Sequence, residues 1–259
     1  DPPIAMQSIE AGVGGLLVLR LETDQAPGAE YALSGMAQDA AGNSVRFVLP
    51  FSGHNPEVPA LLINELLTEA SSTHLDAIEL RIVSAGDLAG VVVGSGQPSD
   101  PTWAWRLGSV RVEAGDLVSL HLRPQGLPDE VDEPGATDVS GGLDTEPGAR
   151  DFWYRGGDGA LPGANGAVWV RRSATGPILD AVFYCERTSL SDERYSGFGS
   201  QALKDAVGEL VAAEAWTAAE DAPRPEDGVP SGAVTATRTL CRRAGAEDSN
   251  SGEDWYVAA

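Results

Sequence analysis

The sequence predicts an all-β protein carrying a single helix, and three observations predict it. Apolar residues recur with a period of two in short segments from Leu17 to Tyr184, the pattern of strands with one buried face. The 31 glycines and 17 prolines among 259 residues favour many turns over long helices. A helical spacing occurs in one place, at Leu203, Val207, Leu210 and Val211. Hydrophobic residues make up 42% of the chain, which excludes wholesale disorder and allows a sizeable core.

In chain order, residues 1–57 form a first unit. Leu17, Leu19 and Leu21 alternate with Arg20 and Glu22; Tyr31, Leu33, Gly35 and Ala37 share a face, as do Val45, Phe47, Leu49 and Phe51. That makes three strands. Asp39-Ala40-Ala41-Gly42-Asn43 between the last two suits a hairpin, because Gly and Asn tolerate positive φ. Three strands are few for an independent sandwich, which needs about seven, so the unit reads as half a domain or as packing on the next one. Ser52 to Pro59 reads as a stiff linker.

The second unit spans residues 60–259. Leu61–Leu66 and Asp76–Ile82 read as paired strands opening a β-sandwich, with Ile78, Leu80 and Ile82 on one side and Ala77, Glu79 and Arg81 on the other. Val91–Val93, Trp103–Trp105, Val110–Val112 and Leu117–Leu122 continue it, the last with Val118, Leu120 and Leu122 inward and Ser119, His121 and Arg123 outward. Residues 124–151 lose all hydrophobic period. They carry Asp129, Glu130, Asp132, Glu133, Asp138, Asp144 and Glu146 with no basic residue between Arg123 and Arg150, and read as a long surface loop, a feature that is usually functional or disordered. Val168–Arg171 and Ile178–Tyr184 read as strands, and residues 201–215 as the helix, with Trp216 near its end. Pro223, Pro225 and Pro230 forbid regular helix beyond it.

The phrases Ile63-Asn64-Glu65, Ile78-Glu79-Leu80 and Asp87-Leu88-Ala89-Gly90, with Leu179-Asp180-Ala181-Val182 and the closing Thr237-Arg238-Thr239-Leu240 and Asp248 to Trp255, resemble the bacterial lamin-tail domain family over residues 60–259. The Asp39–Asn43 turn resembles bacterial immunoglobulin-like repeats. The resemblance implies an immunoglobulin-like β-sandwich used as a binding or attachment module in secreted and envelope proteins, with no agreed catalytic residues. The acidic loop and the helix depart from the family's short form.

Lysine and arginine total 17 against 39 acids, a formal charge of −22. That field repels phosphate backbones and argues against a nucleic-acid partner. Lys204 is the only lysine. No apolar run approaches the ~18–20 residues of a bilayer span. The chain starts at Asp1, and the expectation is that an upstream piece was removed and that the protein is exported: secreted, periplasmic or at the cell surface. Cys185 and Cys241 are compatible with one disulfide and equally with two buried thiols.

No catalytic constellation is legible. His54, His74 and His121 lie near no G-x-S-x-G elbow, and Ser95 between two glycines lacks that spacing. There is no C-x-x-C, H-E-x-x-H, P-loop or dinucleotide fingerprint. Calcium takes hard oxygen ligands, and two groups offer them: Asp129, Asp132, Asp138 and Asp144 in the loop, and Asp248, Asn250 and Asp254 near the end. A solvated acidic surface is the plainer account of both, and Asp254 also suits a turn cap beside a packed Trp255. Trp103, Trp105, Trp153 and Tyr154 could stack on sugar rings, or fill the core as large rings usually do. The reading is a non-enzymatic exported module for attachment or recognition of a protein or cell-envelope component, with a calcium-dependent carbohydrate-binding or adhesive domain, and an accessory domain of a larger secreted hydrolase, as alternatives.

Overall fold

The computed structural model describes residues 4–220, 222–245 and 247–258. Among the described residues the protein is mostly β with one α-helix, and it divides into two compact units, Asp1–Pro56 and Glu57–Ala259.

The first unit holds two antiparallel ribbons. Strand β1 (Met6–Ala11) pairs with β2 (Leu17–Leu21), and β3 (Glu30–Gln38) pairs with β4 (Ser44–Ser52). Met6–Ala11 is a strand that alternation alone does not expose, because its two large apolar residues, Met6 and Ile9, are three apart across a register irregularity. The β3–β4 turn is closed by Asp39, whose Oδ1 accepts the amides of Ala41 and Asn43 at 2.9 and 2.8 Å, while Gly42 takes φ 90°, a value that costs glycine little.

In the second unit the strands are β5 (Leu61–Leu67), β6 (Ala77–Ile82), β7 (Gly86–Asp87), β8 (Val92–Gln97), β9 (Asp100–Arg106), β10 (Arg111–Val112), β11 (Leu117–His121), β12 (Arg150–Trp153), β13 (Asn165–Arg171), β14 (Ile178–Cys185), β15 (Leu240–Arg242) and β16 (Trp255–Val257). Six form a sheet in the order β12-β11-β6-β5-β15-β16, and four form a second in the order β14-β13-β8-β9. Ile63, Leu66, Ile78, Leu80, Val118 and Leu120 from the larger sheet and Val93, Val168, Val170, Val182 and Phe183 from the smaller one bury in one common core. The register keeps Ile63 opposite Leu80 and Leu66 opposite Ile78, with an irregularity at Asn64 between them. In the smaller sheet a Cβ at Gly94 would lie 2.4 Å from the Trp169 ring; the missing side chain is what leaves room for the indole.

The helix α1 (Gln201–Ala212) starts where the Ser200 hydroxyl accepts the Leu203 amide at 3.2 Å, a serine N-cap. Leu203, Ala206, Val207 and Leu210 are its buried residues, one stripe at helical spacing, and they rest against β8 and β13. It ends three residues before the expected 215, because Glu214 turns to φ 58° and sends Trp216, 2% exposed, back into the core.

One buried charge network ties the C-terminal strands to both sheets. Arg242 on β15 donates from Nη2 to Asp180 on β14 at 2.7 Å and from Nε to the Ile63 carbonyl on β5 at 2.8 Å. Its Nη1 reaches Asp248 at 2.7 Å, and its guanidinium lies 4.8 Å from the Trp255 ring centre. Asp180 also accepts the amides of Ile63 and Ala181 at 2.6 and 2.9 Å. Burial pushes its carboxyl up from 3.8 to about 7, against the opposing pull of Arg242 and those amides.

The acidic stretch is folded by its own carboxylates. It is the connection between β11 and β12, which run parallel, and a parallel pair needs a long crossover. Glu130, 2% exposed, accepts the amides of Gln125, Gly126 and Leu127 at 2.7 to 3.1 Å. Glu133, 1% exposed, accepts those of Val139, Ser140 and Asp151 at 2.6, 2.7 and 3.0 Å. The covered face of β11 is the one expected to point outward. His121 is fully buried there, its Nε2 2.7 Å from Asp151 Oδ1 and its ring stacked on Trp153 at 4.0 Å.

Replacing Glu133 with alanine orphans three amides at once. The expected loss is about 2–4 kcal/mol of stability in the Glu57–Ala259 unit, with Glu133→Gln intermediate because one oxygen still accepts. Urea unfolding midpoints and protease cutting within residues 134–148 check this.

Candidate functional site

A cleft of about 680 Å³ runs along the solvent side of α1. Its floor is the helix itself, with Lys204, Asp205, Gly208, Glu209 and Ala212; one wall comes from the segment after β14, with Ser189 and Ser196, and the other from Glu220, Ala222, Pro223 and Arg224, with Gln97 of the β8–β9 hairpin at one end. These walls are held before any ligand arrives. Glu209 accepts Gln97 Nε2 at 2.7 Å, the Ser99 amide at 2.8 Å and the Ser99 hydroxyl. Partial burial would raise its carboxyl, but these donors and Arg171 outweigh that and hold it below its ordinary value.

The 189–196 wall is pinned at both ends. Glu226 accepts the Ser189 amide and hydroxyl at 2.8 and 2.7 Å. Asp192 accepts the Tyr195 and Gly199 amides at 2.5 and 2.9 Å. Lys204 Nζ donates to Ser196 Oγ at 2.9 Å, and Ser196 has φ 56°, a backbone state that a non-glycine residue adopts at a cost. On the far wall Arg224 pairs with Glu220, and its amide donates to Asp227 Oδ2 at 2.7 Å. The cleft thus offers charged groups of both signs and two hydroxyls over small residues, an arrangement that can hold a polar ligand by hydrogen bonds. It supplies no aromatic platform.

The residues expected to form sites lie elsewhere and have structural partners. Asp248 is tied to Arg242, and Asp254 accepts the Ser249 amide and hydroxyl and the Ser251 amide at 3.0, 2.7 and 3.3 Å. That is a turn cap, with Trp255 buried behind it. The Asn250 Nδ2 donates to the Glu214 carbonyl at 3.3 Å. In the loop, Asp132 accepts the Trp153 amide and Asp138 the Gly148 amide, both at 2.8 Å. Asp144 holds His74 Nδ1 at 2.6 Å and the Leu75 amide at 2.8 Å, and Asp129 is exposed. Among the described residues, no three His, Cys, Asp or Glu side chains gather as a metal would need; separate backbone amides draw these carboxylates apart.

The proposed stacking residues are packing residues. Trp103, Trp153 and Tyr154 are buried, and Trp105 is partly buried against the same core. Tyr154 lies 5.7 Å from Trp103 and 5.4 Å from Trp105, and the Trp103 Nε1 donates to the Ala160 carbonyl at 3.1 Å. A bridge between Cys185 and Cys241 does not form, and both are free thiols. They sit in different sheets: Cys185 donates to Asn165 Oδ1 at 3.0 Å. Cys241 lies opposite Glu65 on β5, between the buried Leu240 and Arg242, and so points away from the core.

The cleft was not legible because tertiary contacts assemble it: segments between residues 189 and 224 fold around α1, and Gln97 joins them from a distant hairpin. The one local signal was Lys204, the chain's only lysine. Residues 59–257 match the TP_1001_2nd family, described as protein second domain. The chain belongs to this family. A relative titled "Uncharacterized protein" from Treponema pallidum (strain Nichols) is 33% identical over 190 residues, covering 71% of this chain and 47% of that protein. The chain therefore spans about half the length of the relative it matches. The family match holds β5 to β16, α1 and the whole cleft, and leaves the Asp1–Pro56 unit outside it.

Proposed function

We propose that this chain is a non-enzymatic recognition module of an exported or cell-surface protein, and that the cleft along α1 holds a polar, basic segment of a protein partner. The observation that carries the reading is the preformed cleft, whose walls are pinned by Glu209, Glu226 and Asp192. Pre-organised walls cut the ordering cost of binding. A formal charge of −22 favours approach of a cationic partner. A peptide backbone matches the mixed donors and acceptors of the cleft better than a sugar ring, for which no exposed aromatic face is provided.

The accompanying fold reading is an immunoglobulin-like sandwich of the lamin-tail kind. Two sheets sharing one core support it, as do the phrases at Ile63, Ile78 and Leu179 that carry the resemblance.

A library of lysine- and arginine-containing peptides, screened against the purified chain by fluorescence anisotropy, tests the binding reading. Asp205→Lys is expected to weaken a selected peptide by about tenfold or more, roughly 1.4 kcal/mol, and Lys204→Ala, which removes a cation facing the basic peptide, to tighten it, both at an unchanged melting temperature, while the distant Arg20→Ala leaves binding intact. Equal affinity in the cleft variants would remove the site. Turnover of an ester, peptide or glycoside that a single substitution abolishes would remove the non-enzymatic reading.

A further inference from the structure

Each ribbon of the Asp1–Pro56 unit gathers large apolar residues on one face, and within the unit that face is only half covered: Tyr31, Leu33 and Phe47 are half-buried while Val45, Leu49 and Leu17 are exposed. On β3–β4 the cross-strand pairs Tyr31 with Phe51, Leu33 with Leu49, Gly35 with Phe47 and Ala37 with Val45 fall on one side. Glu30 with Ser52, Ala32 with Pro50, Ser34 with Val48, Met36 with Arg46 and Gln38 with Ser44 fall on the other, a mixed face on which Met36 and Val48 are exposed. The Tyr31 and Phe51 rings stack at 5.4 Å, and the Phe47 ring lies where a Gly35 Cβ would be, 2.3 Å away. This face is built like the inner face of a sheet, yet Val45 is 61% and Leu49 53% exposed.

The β1–β2 ribbon repeats the pattern, with Met6 and Leu21, Ile9 and Leu19, and Ala11 and Leu17 paired on one side and Leu17 at 68% exposure. Each ribbon is a two-stranded sheet among the described residues, so all four strands present an outer edge without a strand partner. Exposed edges and exposed apolar faces together are a template for further strands. Isolated two-stranded ribbons are marginal in water, and natural sequences do not leave such faces open without an occupant.

Two findings say which occupant. The family to which the chain belongs is described as a second domain, and its match begins at residue 59, just after this unit ends at Pro56. The Treponema relative is about twice as long as the part that aligns. We infer that the Asp1–Pro56 unit is the closing part of a preceding β-domain, and that further strands of the same polypeptide, presenting alternate apolar residues, cover the inner faces of both ribbons. Four strands are present in the unit among the described residues, so about three more complete a two-layer domain of the usual strand number.

The test is to read the gene upstream of the codon for Asp1 and to produce the longer polypeptide beside residues 1–259. The upstream reading frame is expected to encode at least three more segments of period-two alternation. Amide hydrogen exchange on β2 and β4 is expected to slow by about a hundredfold or more in the longer polypeptide. Val45→Asp and Leu49→Asp are expected to abolish that slowing and to leave exchange in residues 61–257 unchanged. An upstream frame without such strands, or equal exchange in the two polypeptides, overturns the inference. So does a concentration-dependent dimer of residues 1–259 that protects β2 and β4 equally well, because the occupant is then a second copy. None of these outcomes bears on the cleft along α1.

Discussion

Replacing Arg242 with methionine is expected to destabilise the Glu57–Ala259 unit by about 3–5 kcal/mol at neutral pH, the usual cost of stranding one partner of a buried ion pair. The variant leaves Asp180, 1% exposed, with two amide donors and no counter-charge. The pH dependence identifies the cause. A carboxyl whose native pKa lies above its ordinary value binds its proton more tightly in the folded state, so stability is greatest on the acid side and declines as pH rises between the two values. For Asp180 that window runs from 3.8 to about 7. Asp76, raised by burial from 3.8 to about 6 with the Leu161 amide and Arg123 opposing, acts in the same direction. The wild-type unit is therefore expected to be more stable at pH 5 than at pH 8. Without Arg242 the native pKa of Asp180 climbs further, so the deficit of the variant must grow from pH 5 to pH 8. Urea midpoints at both pH values check this, and a deficit independent of pH would show that lost packing on Trp255, not the stranded charge, is the cause.

Trp153→Ala is the second large effect, expected at about 3–5 kcal/mol, the range for truncating a buried aromatic. The indole is 1% exposed, stacks on His121 at 4.0 Å and donates from Nε1 to Ser140 Oγ at 2.9 Å. Gly142 lies directly on its ring, where a Cβ would come within 2.3 Å. The acidic crossover is thus seated on Trp153, and the variant is expected to speed hydrogen exchange across residues 129–149 as well as to lower the unfolding midpoint. Trp153→Phe keeps most of the packing and loses the Ser140 bond, an expected cost of about 1 kcal/mol beyond the smaller ring. A sugar-stacking role predicts the reverse, with binding lost and stability kept. Unfolding followed by far-UV circular dichroism separates the two.

These two positions show how much the sequence made legible. Ile78, Leu80 and Ile82 announce a strand because alternation is a local property; the partner read at Leu61–Leu66 breaks that period at Asn64, where the register is irregular, and runs on to Leu67. The helix follows from Leu203, Val207 and Leu210 at helical spacing, and its early end at Ala212 does not, because the Trp216 pocket that turns the chain is made by distant residues. The acidic crossover is legible as a loop. That Glu130 and Glu133 face inward is not, since a carboxylate run looks the same whether water or backbone amides surround it. Likewise Trp153 beside a loop looks exposed until the loop folds over it.

The sequence by itself determined the strand-rich class, the place of the one helix, the break near residue 57 and the strongly negative surface. Each is set by neighbours within a few residues or by composition. Tertiary structure alone decided that Arg242 meets Asp180, that Cys185 and Cys241 stay apart, that His121 is buried, and that Gln97 and the segments around α1 form one cleft. Those contacts depend on which strands lie side by side and which face each turns inward, and strand period alone does not encode either.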